Sequence, residues 1–234
     1  MDFRDRTVVV TGAAGNLGRA VAAAFAATGA NLALIARNPA QLADAFGPQT
    51  AQHLLLGADL LDRDEVDRAV ATTVGRYGRI DVLCNIAGGF RMGEAVHELS
   101  DETLAFAFDV NVRSLVNAAH AVVPRMLAGN GGRIVNVAAF AAQRGGARMG
   151  AYSAAKSAVI RLTEAMEAEL HDRGIHANCV LPTIIDTPDN RKAMPRADRS
   201  TWVAPRDLAS VILFLASEDA RAMHGAALPV GVIG

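Results

Sequence analysis

The sequence predicts an α/β domain in which helices cover both faces of one doubly wound parallel sheet. Seven short apolar runs alternate with longer amphipathic segments along the whole chain of 234 residues. These runs are apolar at consecutive positions, as strands buried on both faces require. Strands that alternate with helices in this way indicate a single doubly wound domain with a seven-stranded sheet.

The predicted elements follow one another without a long linker or a repeat. The strands are expected at residues 7–10, 31–36, 53–56, 80–85, 133–138, 176–181 and 227–230. The helices are expected at 16–28, 39–46, 62–77, 101–128, 150–173 and 205–217. Gly29, Gly78 and Gly174 follow three of these helices, as glycine often does where a helix ends.

Helix starts and a sheet edge can also be read from single residues. Asp62, followed three residues later by Glu65, has the spacing of a capping box, and Ser100 can cap the fourth helix. Pro229 cannot donate a ladder hydrogen bond, which predicts that the last strand lies at or near an edge. Residues 183–204 combine prolines with charges after the sixth strand, and we expect them to form a lid over a ligand.

The composition argues against several classes of function. Charged residues make up 20% of the chain and the net charge is −1, which does not favour binding to nucleic acid or to an anionic membrane. No apolar run approaches the ~20 residues that a membrane span needs. The amino terminus lacks the zones of a signal peptide, so we expect a cytoplasmic protein.

Cysteine and histidine usage agrees with that location. Cys84 and Cys179 lie in apolar strand-like runs, and we expect two buried free thiols. The six histidines show no spacing typical of metal ligands, so we expect no metal site.

A glycine-rich turn joins the first strand to the first helix. The segment TGAAGNLG contains Gly12, Gly15 and Gly18, with Asn16 and Leu17 between the last two. Glycines let backbone approach a diphosphate closely, and the amide groups and dipole of a helix amino terminus favour its negative charge. A tight turn alone could use the same glycines, but the position at the first strand of the chain favours a dinucleotide cofactor.

The tip of the second strand bears on which dinucleotide is bound. A carboxylate at that tip would accept hydrogen bonds from a ribose and repel a 2′-phosphate, but the chain has Ala36, Arg37 and Asn38 there. An arginine fork suits phosphate oxygens, which predicts a preference for NADP(H) over NAD(H). The alternative is an exposed turn arginine without a ligand.

Two further strand ends are candidates for the same cofactor site. Asp59 and Leu60 follow the third strand, and the Asp59 carboxylate could accept from an adenine amino group or serve in a local turn. Asn85, Ala87 and Gly88 end the fourth strand with small groups, as a cofactor lying across the sheet requires, although an ordinary turn could use the same residues.

A tyrosine and a lysine are the candidates for the chemistry. Only two of the 23 basic residues are lysines, and one of them, Lys156, stands four residues after Tyr152. Positions i and i+4 share a helix face, so both side chains can point into one pocket. A nearby ammonium favours the phenolate, and we expect Tyr152 to act as a general acid or base. Asn111 is a candidate to hold a water beside Lys156, or an ordinary helix amide.

These motifs together resemble the short-chain dehydrogenase/reductase family over nearly the whole chain. The matching segments are TGAAGNLG at 11–18, Asp59, NIAG at 85–88, Asn111, YSAAK at 152–156 and PTIIDT at 182–187. The resemblance implies a Rossmann sheet of seven parallel strands and hydride transfer between NAD(P)(H) and small alcohols or carbonyls. It also implies pairing of helices 101–128 and 150–173 in a homo-dimer or homo-tetramer.

The resemblance also implies roles for individual residues. Tyr152 would donate the proton, Lys156 would hold the ribose and Asn111 would relay protons. The nicotinamide side of the site would be lined by Pro182, Ile185 and Thr187.

Three positions depart from the family pattern. Asn16 replaces a glycine, Thr183 replaces the glycine after Pro182, and Ala139 occupies the place of the catalytic serine. Loss of one donor that polarises a carbonyl typically costs a factor of ~10² to 10³ in rate. Three explanations are compatible with Ala139. The substrate does not need the serine, or another side chain replaces it, or the protein binds its nucleotide with little turnover.

One segment favours a particular substrate. Residues 187–202 and CNIAGGF at 84–90 resemble dihydropteridine reductases, which by that likeness keep the tyrosine and lysine but have alanine for the serine. Reduction of a quinonoid ring restores aromaticity and needs less help from a carbonyl-polarising donor. The predicted function is therefore an NADP(H)-dependent oxidoreductase acting on a small carbonyl, alcohol or quinonoid compound. The alternatives are a dihydropteridine-reductase-like enzyme and a weakly active nucleotide-binding regulator.

Overall fold

The computed structural model describes residues 1–129 and 131–231. Its seven strands are β1 (Thr7–Thr11), β2 (Asn31–Ala36), β3 (His53–Gly57), β4 (Val82–Asn85), β5 (Gly132–Val137), β6 (Ile175–Pro182) and β7 (Ala227–Val230). All seven predicted strands are therefore confirmed, with bounds that differ by at most two residues.

The helices cover the segments between these strands. They are α1 (Asn16–Ala26), α2 (Pro39–Phe46), α3 (Arg63–Tyr77), α4 (Asp101–Phe108), α5 (Ser114–Ala128), α6 (Gly150–Leu170), α7 (Pro188–Ala193) and α8 (Pro205–Leu215). The short helix α7 lies inside the predicted lid, in a segment for which the sequence pattern indicates only a loop.

The strands form one parallel sheet in the order β3-β2-β1-β4-β5-β6-β7. The chain proceeds outward from β1 in one direction and from β4 in the other, so a crevice opens at the carboxyl ends of these two central strands. This is the doubly wound Rossmann fold that was predicted. Pro229 lies in β7, the outermost strand, which confirms its expected edge position.

Successive side chains of the central strands enter different cores. Val8 and Val10 pack with α1 and α8 on one side of the sheet, while Val9 packs with α3 and α5 on the other. Both cores are fully apolar along β1, which explains why this strand has consecutive hydrophobic residues instead of an alternating pattern. Cys84 and Cys179 are buried free thiols, as predicted.

The prediction of a single α-helix at 101–128 is wrong in the middle of this segment. A π-helical turn, Asp109–Arg113, separates α4 from α5. The apolar pattern runs through all three segments, so it does not reveal the change in hydrogen bonding. The π turn contains Asn111, which is buried in the structure. Such turns often occur at functional sites.

The helix caps agree only in part with prediction. The Ser100 hydroxyl accepts from the backbone amide of Thr103, and the Asp62 carboxylate accepts from that of Glu65. The Glu65 carboxylate does not complete the capping box; it accepts from the backbone amide of Asp59 at 2.7 Å. Glu65 therefore fixes the turn after β3.

Among the described residues, no helix has the length and apolar character that crossing a membrane requires.

Candidate active site

A cleft of about 500 Å³ lies at the carboxyl ends of the central strands. Most of the predicted cofactor residues line it, although they come from separate loops. They are Gly12, Gly15, Asn16, Leu17, Gly18, Arg37, Asp59, Leu60, Ala87 and Gly88. Gln41, Val110 and Ser114 also line the cleft but were missed, since no local motif marks them.

The glycine-rich turn is packed too closely for side chains at two positions. Gly12 has a φ of +63°, and a Cβ there would lie 2.8 Å from the Cα of Ala87. A Cβ on Gly18 would overlap the carbonyl oxygen of Gly12. These glycines let the turn after β1 fold onto both α1 and the segment after β4, which brings backbone to the cleft surface.

The amino terminus of α1 is open toward this cleft. Gly15 is the N-cap residue and supplies no side-chain cap, and the first turn carries no acidic residue. The first amide that bonds back within the helix is that of Arg19, to the carbonyl of Gly15 at 2.9 Å. The amides of Asn16, Leu17 and Gly18 precede it and suit a diphosphate, which also benefits from the helix dipole.

The end of β2 provides a positive rim. Arg37 is exposed at the edge of the cleft and forms no ion pair with any described acidic residue. Asn38 has a different role from Arg37, because its side chain accepts from the amide of Ala40 and caps α2. Asn38 is not among the residues that line the cleft, and its contact with a cofactor stays a prediction.

The residues after β3 are held by local hydrogen bonds. Oδ1 of Asp59 accepts from the amide of Leu61 at 2.9 Å, so the carboxylate stabilises the local turn, and its contact with an adenine stays a prediction. The carbonyl of Leu60 accepts from the side chain of Asn117 at 2.8 Å. Both Asp59 and Leu60 keep a place in the cleft wall.

Thr11 is a residue of the site that the sequence analysis missed. Its hydroxyl oxygen accepts from the amides of Ile86 and Ala87, at 3.1 and 3.2 Å. It thereby fixes the turn after β4 beside the glycine-rich turn. The signal was present in the sequence, because a threonine at the end of β1 directly precedes Gly12.

Asn85 is buried and is not among the residues that line the cleft, and its contact with a cofactor stays a prediction. Its Nδ2 donates to Oδ1 of Asn136 at 2.9 Å, and Nδ2 of Asn136 donates to Thr163 at 2.9 Å. This chain of polar groups connects β4, β5 and α6 below the site. Asn85 is the last residue of β4, and its side chain points below the cleft because the turn begins only at Ile86.

Lys156 and Asn111 converge at Gly88, on the cleft floor. A Cβ on Gly88 would lie 3.3 Å from Nζ of Lys156 and 2.8 Å from Oδ1 of Asn111. Nζ of Lys156 donates to the carbonyl of Val137 at 2.8 Å. The structure therefore brings together three of the predicted site residues, which come from the segment after β4, the π turn and α6.

The side chain of Asn111 is fully engaged with backbone. Its Nδ2 donates to the carbonyls of Gly89 and Ala107, and its Oδ1 accepts from the amide of Gly89. Both amide hydrogens are used, so the side chain positions the turn after β4 and does not have a hydrogen left for a water. Oδ1 accepts only one of these bonds and has a second lone pair, so a water beside Asn111 stays a prediction.

Tyr152 lies one helical turn before Lys156 on α6. Its ring packs edge-on against Phe90, with the ring centroids 4.8 Å apart. Burial raises the pKa of Tyr152 to about 12. Burial also lowers the pKa of Lys156 to about 8.

In the protein without cofactor, the ammonium of Lys156 does not by itself make the phenol acidic. The ammonium of Lys156 is directed at the Val137 carbonyl. Burial of the phenolate away from water raises the pKa of Tyr152 by more than this ammonium lowers it. The phenol is protonated at neutral pH. Lys156 still carries its charge at pH 7, since its pKa of about 8 lies above that pH.

Ala139 follows β5 in an extended conformation and is buried beside the start of a short 3₁₀ turn. Its neighbour Ala138 packs in an apolar cluster with Leu115 and Val159. Successive side chains of extended backbone point to opposite sides, so Ala139 does not share that cluster. A methyl group thus occupies the position at which the family resemblance expects a hydroxyl.

The lid residues lie outside the described cleft. Ile185 forms an isolated parallel bridge with Val203, and Thr187 is buried and caps α7 through its hydroxyl. Pro182 ends β6. These three residues do not line the cleft. Their contact with a nicotinamide stays a prediction.

One contact joins the lid to the phosphate side of the cleft. Nδ2 of Asn16 donates to Oδ2 of Asp189 in α7 at 3.2 Å. The departure from glycine at position 16 therefore connects the glycine-rich turn to the lid.

Comparison with known proteins identifies the family. Residues 6–198 match the family model described as short chain dehydrogenase. A D-threitol dehydrogenase from Mycolicibacterium smegmatis is 34% identical over 247 residues, covering 98% of this chain and 93% of the relative.

Two solved structures are similar over nearly the whole chain. An L-sorbose reductase from Gluconobacter frateurii, complexed with NADPH and L-sorbose, has a TM-score of 0.89 and 28% identity, covering 98% of this chain and 96% of its own. A carveol dehydrogenase from Mycobacterium avium in complex with NAD has a TM-score of 0.88 and 26% identity, covering 97% and 96%. With the cleft and its residues, these matches establish that the chain belongs to the short-chain dehydrogenase/reductase family of NAD(P)-dependent oxidoreductases.

Proposed function

We propose that the protein transfers hydride between NADP(H) and a small carbonyl, alcohol or quinonoid compound, with Tyr152 and Lys156 as its proton-transfer pair. The observation that carries this proposal is the meeting of Lys156, Asn111 and Gly88 at the floor of the cleft, one helical turn from Tyr152. Structural packing alone gives no reason to bury an ammonium, since taking a charge out of water is costly.

The cleft suits a dinucleotide because Gly12 and Gly18 have no room for side chains, so that backbone forms this part of its surface. The amides at the start of α1 would hold the diphosphate, and Asp59 would accept from the adenine through the carboxylate oxygen not used in its turn. Lys156 would hold the ribose hydroxyls. When bound, the cofactor supplies the hydride and, in its oxidised form, a positive charge near Tyr152.

Tyr152 is suited to donate a proton during reduction. Its pKa of about 12 keeps the phenol protonated at neutral pH, so the acid form is always available. The reverse reaction needs the phenolate, and the positive charges of Lys156 and of the oxidised cofactor favour that form. We infer that Asn111 acts as a positioning residue, because its side chain holds Gly89 and the π turn in place.

A preference for NADP(H) is supported by the rim of the cleft. Arg37 is exposed at the end of β2 without an acidic partner among the described residues, and no carboxylate stands at that tip to repel a 2′-phosphate. The two solved relatives bind NADPH in one case and NAD in the other. The preference thus depends on Arg37 and not on family membership.

The substrate class follows from Ala139. The relatives named above are a threitol dehydrogenase, a sorbose reductase and a carveol dehydrogenase, which supports a small alcohol or carbonyl. The methyl group at 139 favours a substrate that needs no hydroxyl donor there, such as an electron-poor quinonoid ring. A dihydropterin remains a second candidate, supported by Ala139 and by the lid sequence but by none of these relatives.

Restoring the serine tests how Ala139 limits catalysis. We expect Ala139→Ser to raise kcat/KM for simple ketones by about tenfold, a fraction of the ~10² to 10³ that a fully aligned donor provides. Consumption of NADPH would be measured with a panel of ketones, quinones and quinonoid dihydropterin. Turnover of only quinonoid compounds by both proteins would indicate that the natural substrate is not a carbonyl.

Ala138→Ser is the matched control, since it adds the same hydroxyl to the apolar cluster on the other side of the backbone. It should not increase turnover and should destabilise the protein by about 1–3 kcal/mol. A panel that gives no turnover with either cofactor, despite tight nucleotide binding, would support the nucleotide-binding regulator in place of an enzyme.

We also propose that the protein forms a homo-dimer or homo-tetramer in the cytoplasm. Leu104 and Phe108 lie four residues apart on α4 and are more than a third exposed, at 41% and 37%. Positions i and i+4 share a helix face, so these side chains form an apolar surface that a second copy can cover. The two buried free thiols suit a reducing compartment.

A further inference from the structure

Two histidines meet one buried glutamate at the amino-terminal end of the sheet, away from the cleft. Glu167 lies in the last turn of α6, His176 near the start of β6, and His224 in the turn before β7. Nδ1 of His176 lies 3.1 Å from Oε1 of Glu167, and Nδ1 of His224 lies 2.7 Å from the same oxygen. One ligand atom from each residue lies within 4.8 Å of the other two.

The glutamate is held in place from its other oxygen. Oε2 of Glu167 accepts from the backbone amide of Ala177 at 2.6 Å, while the carboxylate is only 8% exposed. Burial raises the pKa of Glu167, but this amide and the two imidazoles lower it further, so the net pKa lies below its usual range. The carboxylate is thus oriented, with one oxygen bonded to backbone and the other facing the two histidines.

The turn that carries His224 is fixed on both sides by β6. The carbonyl of Met223 accepts from Nδ2 of Asn178 at 3.1 Å, and the amide of Gly225 donates to the carbonyl of Ala177 at 3.1 Å. Gly225 has a φ of +62°, which favours glycine at this tight turn. His224 is therefore presented to Glu167 by a built backbone arrangement, although its side chain is 51% exposed.

We propose that Glu167, His176 and His224 form a binding site for a divalent transition-metal ion such as Zn²⁺. Two imidazole nitrogens and one carboxylate oxygen are a ligand set that zinc uses in proteins. A tetrahedral zinc ion with bonds of about 2.1 Å holds its ligand atoms roughly 3.4 Å apart. The separations of 3.1 and 2.7 Å from Oε1 are hydrogen-bond distances, so metal binding would replace these bonds and move the two nitrogens outward by roughly 0.3 and 0.7 Å.

The exposure of the three residues suits an ion that enters from solvent. Glu167 is buried and His176 nearly so, while His224 is half-exposed and can swing aside to admit the ion. A water on the exposed side would complete the coordination. The bound ion would join the end of α6, the start of β6 and the turn before β7.

The site lies at the opposite ends of the strands from Tyr152, so we assign it a role in stability and not in hydride transfer. Sequence spacing did not predict it, because His176 and His224 belong to different strand connections and only the pairing of β6 with β7 brings them together. The expectation of no metal site rests on the spacing of histidines along the chain. Such spacing does not reveal residues that strand pairing brings together.

Titration of the purified, metal-stripped protein with ZnCl₂ in a calorimeter tests the proposal. We expect one ion per chain and, with free zinc at a hundredfold its Kd, a rise in Tm of about 5–10 °C. His224→Gln should weaken binding by more than the roughly 10- to 100-fold that loss of a second-shell partner costs. Because His224 is half-exposed, this variant should fold, and its metal-free Tm reports any intrinsic destabilisation.

His97→Gln is the matched control, since His97 is exposed and lies 3.8 Å from Glu98 in a similar but unburied pair. Zinc binding should be unchanged in that variant. Co²⁺ provides a spectroscopic readout, and the wild-type protein should give the intense visible absorption of a tetrahedral site, which His176→Gln and His224→Gln should lose. Absence of zinc binding to the wild-type protein, or equal binding by His224→Gln, would overturn the proposal and leave a hydrogen-bonded cluster.

Discussion

Replacing Tyr152 with phenylalanine is expected to lower kcat by about 10²- to 10⁴-fold, the range that general acid catalysis usually contributes. The variant loses only the hydroxyl that would exchange the proton. The ring would remain packed edge-on against Phe90, so the helix and the cleft should keep their shape. Steady-state oxidation of NADPH with the best substrate of the panel measures the loss.

The binding of NADPH by the Tyr152→Phe variant should stay within a few-fold of wild type, because the cradle for the diphosphate is distant from the phenol. Tyr77→Phe is the matched control, since Tyr77 is the other tyrosine of the chain and lies in α3. That variant should keep full activity. Unchanged turnover in Tyr152→Phe would remove the phenol from the mechanism.

The second large effect is expected at Arg37, in the choice of cofactor. Arg37→Asp should weaken NADPH binding by roughly 10- to 150-fold, because a hydrogen bond to a charged group contributes about 1.5–3 kcal/mol. The new carboxylate would also accept from ribose hydroxyls, so the binding of NADH should improve. Fluorescence titration of both reduced cofactors gives the two dissociation constants.

Arg206→Asp makes the same change of charge at an exposed position on α8, where the side chain is 88% exposed. It should leave the ratio of the two dissociation constants unaltered, which separates a local contact from an effect of net charge. If wild-type protein binds NADH more tightly than NADPH, the role assigned to Arg37 is wrong.

Most of the fold could be predicted because each strand is buried on both faces. Val8, Val9 and Val10 fill two different cores, and this produces a run of apolar residues that a half-exposed strand would not show. The break in the long helix at Asp109–Arg113 could not be predicted, since the π turn leaves the apolar pattern unchanged. It is nevertheless this turn that contains Asn111, beside Gly88.

The candidate site was predictable where one residue type is required by backbone or charge. Gly12 and Gly18 have no room for a Cβ, and Lys156 is one of only two lysines in a chain rich in arginine. The directions of side chains were not predictable in the same way. Asn85 points below the cleft, and Thr11 hydrogen-bonds the turn after β4, because both depend on the exact residue at which a strand ends.

The pKa of Tyr152 shows a further limit of reasoning from spacing. A lysine at i+4 suggests an acidic phenol, but burial dominates and raises the pKa to about 12. Whether a charge stabilises a phenolate depends on desolvation and on where the ammonium is directed, and a sequence states neither.

The central claim is that Tyr152 exchanges a proton at a place where positive charge gathers during the reaction. Ultraviolet titration of tyrosinate, with and without saturating NADP⁺, tests this most directly. Subtraction of the Tyr152→Phe titration isolates one phenol, because the chain has only two tyrosines. We expect a pKa of about 12 for Tyr152 in the free protein and a value of about 9–11 in the presence of NADP⁺, since the nicotinamide adds one nearby positive charge, which lowers a pKa by about 1–3. A pKa that stays at about 12 with NADP⁺ bound would contradict the claim.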